Sequence, residues 1–215
     1  MKKNYTTALF DVDGTLVTLD GVVKAIQETL THFDLSAMSH HDVIHHFIGH
    51  VLIDAFPRVY PHMAAEADAM QKFYTWVFLR RHKEFEKLQP HVCEVLQTIK
   101  DNGLKIGIIT TKGRKEALAV LAAYNLPYDL LVSHNDVSAI KPSPLPIQMA
   151  LDRFKAKPSE SIMTGDHIFD VMSAKAAKVD GAGVLTGAST REELKEAGAV
   201  YILKDLSDLL EVMGL

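Results

Sequence analysis

The chain has 215 residues, 47% of them hydrophobic and 23% charged, with a net charge of −4. That balance excludes a disordered or fibrous chain, and it carries no basic footprint for nucleic acid or an anionic membrane. A single cysteine, Cys93, excludes an internal disulfide framework and suits a reducing cytoplasm. The opening residues, Met1-Lys2-Lys3-Asn4-Tyr5-Thr6-Thr7, have no long apolar run behind the lysines, so no secretory leader is expected. No stretch of about 18 apolar residues predicts a membrane span.

The first predicted element is a strand at Ala8-Leu9-Phe10, followed at once by Asp11-Val12-Asp13-Gly14-Thr15-Leu16. Side chains alternate along an extended chain, so Asp11 and Asp13 leave the strand's end on the same side. Gly14 lets the backbone turn sharply behind them. Two carboxylates in that position suit Mg²⁺, which takes oxygen ligands and sits beside phosphates.

After Leu16 the apolar period becomes helical. Val22-Val23, Ile26 and Leu30 share one face. Further helices are predicted over 39–47, with Ser39 as N-cap, and over 64–85, where Met70, Phe73-Tyr74, Val77 and Phe78 line one side. Gly49 interrupts the helical pattern between them. Residues 18–85 therefore read as a helical insert with no strand to pair with the first.

From Gln89-Pro90 onward, helices and strands alternate. Helices are predicted over 91–102 (closed by Gly103), 113–124, 146–154, 168–178, 192–197 and 208–213. Between them lie apolar strands over 104–109, 128–132, 161–164, 182–185 and 200–203. The run at 104–109 is apolar without alternation, as a parallel sheet covered on both faces requires. The fold class is α/β: a doubly wound parallel sheet made of 1–17 and 86–215, with 18–85 inserted after the first strand. Such sheets bind ligands beyond the carboxyl ends of their strands.

The distinctive polar residues collect at that edge. Asp11 and Asp13 follow the first strand, Thr110 and Thr111 the second, and Asp166 and Asp170 the fourth, while Lys141-Pro142 stands in the loop after the third. Taken singly, each could be a helix cap or a solvated loop residue. Their joint occurrence is harder to explain that way.

In this order the residues resemble the four motifs of the haloacid dehalogenase superfamily of phosphotransferases: Asp11-Val12-Asp13-Gly14-Thr15-Leu16, then Thr110, then Lys141-Pro142, then Gly165-Asp166 with Asp170. The insert resembles the family's helical C1 cap. Ile108-Ile109-Thr110-Thr111-Lys112, Lys141-Pro142-Ser143-Pro144 and Ile48-Gly49 with Leu52 and Phe56 are similar to the phosphoglycolate phosphatase-like branch, which also contains pyrophosphatases.

The resemblance implies that Asp11 is the nucleophile, forming an aspartyl-phosphate, and that Asp13 is the acid–base group. It implies Mg²⁺ held by Asp11, the backbone carbonyl of Asp13, and Asp166. Thr110, the amide of Thr111 and Lys141 are implied to bind the phosphoryl oxygens. Asp170 would orient Asp166, a metal-bound water or Lys141. Gly49, His50 and Lys112 are candidates for the substrate's non-reacting end. The implied partner is a small phosphorylated metabolite, with phosphoglycolate, pyrophosphate, a sugar phosphate and a nucleotide all open.

An acid at position 13 argues against dehalogenation. Val23 stands where sugar-phosphate mutases of the superfamily carry a cap histidine, and no arginine follows soon after the cap glycine, which argues against a mutase. Thr18-Leu19 departs from the branch's usual polar pair, so one polar contact at the insert's hinge is expected to be missing. A receiver module would share the acidic pocket, Thr and Lys, yet needs no insert of some sixty residues. A catalytically silent binding protein is opposed by the presence of every residue that the chemistry requires. His41 with His45, and His46 with His50, lie at i,i+4 but lack a third ligand, so they read as a solvated face rather than a transition-metal site. His167 reads as an exposed loop histidine beside Asp166.

Overall fold

The structure, a computed structural model, describes residues 4–215. Met1–Lys3, where the N-terminal reading begins, lie outside the described residues. Six strands form one parallel sheet: β1 (Thr7–Phe10), β2 (Lys105–Ile109), β3 (Leu130–Val132), β4 (Ser161–Gly165), β5 (Asp180–Val184) and β6 (Tyr201–Leu203). Their order across the sheet is β3-β2-β1-β4-β5-β6. β1 is central, and its Phe10 stands level with Ile108 of β2 and Thr164 of β4. That register brings the ends of three strands to one height.

Both faces of the sheet are covered. Ala8 and Phe10 share one apolar cluster with α5 (Val92–Asp101), α6 (Arg114–Ala123) and α10 (Asp208–Met213). Leu9 points the other way, into a second cluster with α7 (Leu145–Phe154) and α8 (Ile168–Ala176). Alternation along β1 therefore sends neighbouring residues into separate cores, which explains an apolar run with no polar side. The last crossover carries α9 (Arg191–Ala197), opened by a Thr190–Glu193 capping box.

Between β1 and α5 the chain is helical: α1 (Asp20–His32), α2 (His40–Phe47), α3 (Leu52–Val59), a short 3₁₀ stretch (Pro61–Glu66) and α4 (Ala67–Phe85). Ser39 caps α2 by accepting from Asp42 N–H, as its sequence predicts. The helix predicted over 64–85 starts later, because the turn after Pro61 is 3₁₀. Helix α3 was not predicted. It has only eight residues and contains Pro57, which removes a helical N–H. Val23, Ile26, Phe47, Phe56 and Phe78 are fully buried, and they belong to the same cluster as Ala8 and Phe10.

The two ends of the insert lie side by side. Val17 and Leu88 form an antiparallel bridge, Thr18 N–H donates to Lys87 O at 2.8 Å, and Lys87 N–H donates to Thr18 Oγ1 at 3.2 Å. The expected missing contact at the hinge is thus supplied by Thr18 itself. No helix among the described residues is long and apolar enough to cross a membrane.

Candidate active site

Asp11 follows the last residue of β1, and its N–H donates to Thr164 O at 3.0 Å, which continues the ladder one residue past the strand. Gly14 then turns at φ +81°. A Cβ there would lie 2.2 Å from Asp166 Oδ2, so only glycine permits the turn to close over that carboxylate. Thr15 Oγ1 donates to Asp166 Oδ1 at 2.9 Å, and Ala188 N–H donates to Asp166 Oδ2 at 2.8 Å. The first and fourth motifs are in this way hydrogen-bonded into one unit.

Asp11, Asp166 and Asp170 are buried, and one carboxylate oxygen from each lies within 4.8 Å of the other two. Lys141 is the cation set among them. Its Nζ stands 2.8 Å from Asp11 Oδ1 and 2.6 Å from Asp170 Oδ1, and it donates to Ile109 O at 3.0 Å. One ammonium cannot balance three carboxylates held this closely. Burial, with Asp170 and Asp11 as neighbours, raises Asp166 well above the usual carboxylate range. Burial also pushes Asp170 up to about 6, against the pull of Lys141. This oxygen-only donor set with excess negative charge fits a hard divalent cation such as Mg²⁺. Asp170 serves Lys141 directly, one of the three tasks its spacing left open.

Asp13 takes a different partner. Its carboxylate does not join the three-aspartate cluster, and its Oδ2 lies 2.8 Å from Lys112 Nζ. Its other oxygen, Oδ1, is buried with no hydrogen-bond partner. Burial pushes Asp13 up to about 6, and Lys112 opposes that rise. A carboxyl poised there can hold a proton or give it up near neutrality.

A cavity opens above these groups. Asp11, Asp13, Thr111, Lys112, Lys141 and Asp170 line its floor, and Phe47, Ile48, Gly49, His50, Gln71 and Tyr74 of the insert line its roof. Gly49 has φ +81° and comes so close to the core that a Cβ would meet Phe169 at 3.0 Å and His167 at 3.1 Å. Thr110 does not line the cavity: it is buried, and its Oγ1 accepts from Lys112 N–H at 3.1 Å.

His167 corrects its sequence reading. It caps α8, accepts from Phe169 N–H at 3.2 Å and packs its ring 4.5 Å from that of Phe169. It lines the cavity rather than standing in solvent, and burial together with the nearby Lys141 pushes it down to about 4. Part of its cover is Gly49 of the distant insert, which nothing local in the sequence signals. His134 was also missed. It donates from Nδ1 to Thr111 O at 3.1 Å and lines the same cavity. Arg58, on α3, lies with Nη1 3.2 Å from the His50 ring, and both burial and that guanidinium lower His50.

The model of the haloacid dehalogenase-like hydrolases matches residues 8–184, from β1 through β5. The chain belongs to that family. It is 35% identical over 214 residues to a pyrophosphatase, PpaX, of Bacillus pumilus, covering 97% of this chain and 96% of the relative. It is 34% identical to the PpaX of Anoxybacillus flavithermus, covering 98% of each. A crystal structure of a hydrolase from Pseudomonas syringae superposes with a TM-score of 0.83 at 28% identity, covering 96% of both chains. The chain is thus an enzyme of this hydrolase family, built on its Rossmann-like fold.

Proposed function

We propose that the protein is a Mg²⁺-dependent phosphatase acting on a small phosphorylated compound through an aspartyl-phosphate on Asp11. The observation that carries this reading is the pairing of Asp11 with Lys141 at 2.8 Å, on the floor of a cavity that Asp13 also lines. A carboxylate nucleophile and an anionic phosphate repel each other, and a fixed ammonium beside the attacking oxygen offsets that repulsion. Mg²⁺, held by Asp11, Asp166 and the backbone carbonyl of Asp13, would supply further charge neutralisation for the transferring group.

Asp11 attacks phosphorus and the bond to the leaving oxygen breaks. Asp13, which lines the cavity and whose Oδ1 has no hydrogen-bond partner, gives its proton to that oxygen and then takes one from the water that hydrolyses the acyl phosphate. Lys141 and the amide of Thr111 hold the phosphoryl oxygens, and Asp170 holds Lys141. In this reading residues 18–85 act as a cap that shuts water out during the first step.

Inorganic pyrophosphate is the favoured substrate, because the full-length relatives at 34–35% identity bear that activity in their names. Phosphoglycolate is the second reading, supported by the Thr110-Thr111-Lys112 and Lys141-Pro142 sequences. Release of phosphate from pyrophosphate and from 2-phosphoglycolate, each with Mg²⁺ and after chelation, tests both. Metal-dependent turnover of neither substrate would overturn the proposal.

A further inference from the structure

We infer that Lys112 is a positioning residue that aims Asp13 at the leaving group and is itself held in place by the ring of Phe78 on α4. The inference rests on the acid–base role proposed for Asp13. Lys112 is a buried lysine in the turn between β2 and α6, and its ammonium lies between the catalytic loop and α4, whose Tyr74 also acts on it. On one side is Asp13 Oδ2 at 2.8 Å, and on the other is the ring of Phe78, whose centroid is 4.0 Å away. An ammonium taken out of water needs a counter-charge and favours an aromatic face. This one gets its charge from the catalytic loop and its face from the insert.

The backbone of Lys112 is pinned as well, since its N–H donates to Thr110 Oγ1 at 3.1 Å. The carboxylate of Asp13 is thus fixed through Oδ2 to a group that cannot drift, while Oδ1 is left without a partner. One oxygen is used for orientation and the other is kept for chemistry.

The link to α4 is broader than one ring. Tyr74, Phe78 and His82 follow at i,i+4 spacing, with Tyr74 stacked on Phe78 and Phe78 on His82. Thr75, next to Tyr74, donates its hydroxyl to Glu116 of α6, just beyond the Lys112 turn. At the other end of the stack, His82 pairs with Glu86 at the hinge. Phe78 of α4 thus covers the Lys112–Asp13 pair on the side away from the catalytic loop and keeps its ammonium out of water.

The test uses the whole protein with Mg²⁺ and two substrates, p-nitrophenyl phosphate, whose leaving group needs no proton, and β-glycerophosphate, whose alkoxide does. For Lys112→Met, kcat on β-glycerophosphate should fall about 100-fold and kcat on p-nitrophenyl phosphate less than about 5-fold, with KM unchanged. Phe78→Leu keeps both charges and should give the same split at about 5-fold, the scale of a lost cation–π contact. It carries the test alone if Lys112→Met loses its cooperative melting transition. Equal losses on both substrates would overturn the inference. A rise in KM with kcat retained would do so too, because it would make Lys112 a substrate contact. Wild-type protein inactive on both substrates would instead overturn the phosphatase reading, and the inference with it.

Discussion

On the floor of the cavity, charged side chains hold one another through buried contacts: Lys141 with Asp11 and Asp170, Asp166 with Thr15 and Ala188, Asp13 with Lys112. Around Gly49 and His50 the roof meets the core through ring edges instead. His50 and Phe169 lie 5.7 Å apart near perpendicular, and Gly49 leans on His167 and Phe169. Directional contacts among charges fix atoms to a fraction of an ångström and are costly to break in a dry interior. Ring-edge contacts are weaker and tolerate sliding. The floor is therefore built for a reaction whose geometry cannot vary, and the roof for closing over a group whose identity can.

The largest effect is expected at Asp11, the proposed nucleophile. Asp11→Asn keeps the shape of the side chain but cannot attack phosphorus, and turnover should fall by at least about two decades, or 2.7 kcal/mol of barrier. Residual turnover of more than a few per cent would remove Asp11 from that role. Asp13→Asn should come next, with a loss that grows as the leaving group worsens. Initial rates over a series of aryl and alkyl phosphates would expose an even loss, which would argue against proton donation.

The floor can also be probed by its metal. Activity should disappear with chelator and return with Mg²⁺. Asp166→Asn should raise the Mg²⁺ concentration for half-maximal activity more than Asp170→Asn does, since Asp170 is already engaged by Lys141 at 2.6 Å. Titrations of rate against Mg²⁺ showing the opposite order would exchange their roles.

At the roof the effects should be smaller and depend on substrate. His50→Ala should lower kcat/KM on pyrophosphate by about 1–3 kcal/mol, the range for a lost hydrogen bond to a charged group. On p-nitrophenyl phosphate it should have little effect, because that leaving group offers no such contact. Equal losses on the two substrates would mean that His50 only packs against Phe169.

The smallest effect concerns the seam between roof and floor. Unfolded, His167 takes up a proton near 6.5, and folded only near 4. Between those values the unfolded chain binds more protons, so stability present above about pH 6.5 is lost as pH falls, by at most about 1.4 kcal/mol per pH unit. His167→Asn keeps a capping side chain and removes the titration. The melting-temperature difference from wild type should be constant above pH 7 and shift towards the variant below 6.5. A difference independent of pH would mean that His167 titrates alike in both states.

The same division explains what was legible in the sequence. Asp166 and Asp170 lie on one strand–helix junction, so local spacing was enough to bring that pair together, whereas Asp11 and Asp13 share a strand end but take different partners. The sheet and its crossovers were legible too, since each strand is a short apolar run with a helix behind it. What escaped depends on remote contact. His167 is covered by Gly49, more than a hundred residues earlier, and Lys112 meets Asp13 across the ends of two neighbouring strands, far apart in sequence. Helix α3 escaped because eight residues carrying a proline have little periodicity to read.

One feature of the hinge reaches past catalysis. Val17 and Leu88, which lie outside the sheet's strands, bridge the two ends of the insert like the base of a hairpin. From the sheet's side, seventy residues between those points occupy the same doorway as a two-residue turn. Insertions or exchanges beyond that doorway alter no strand register and no crossover, provided they keep the apolar faces that Phe47, Phe56 and Phe78 share with Ala8 and Phe10.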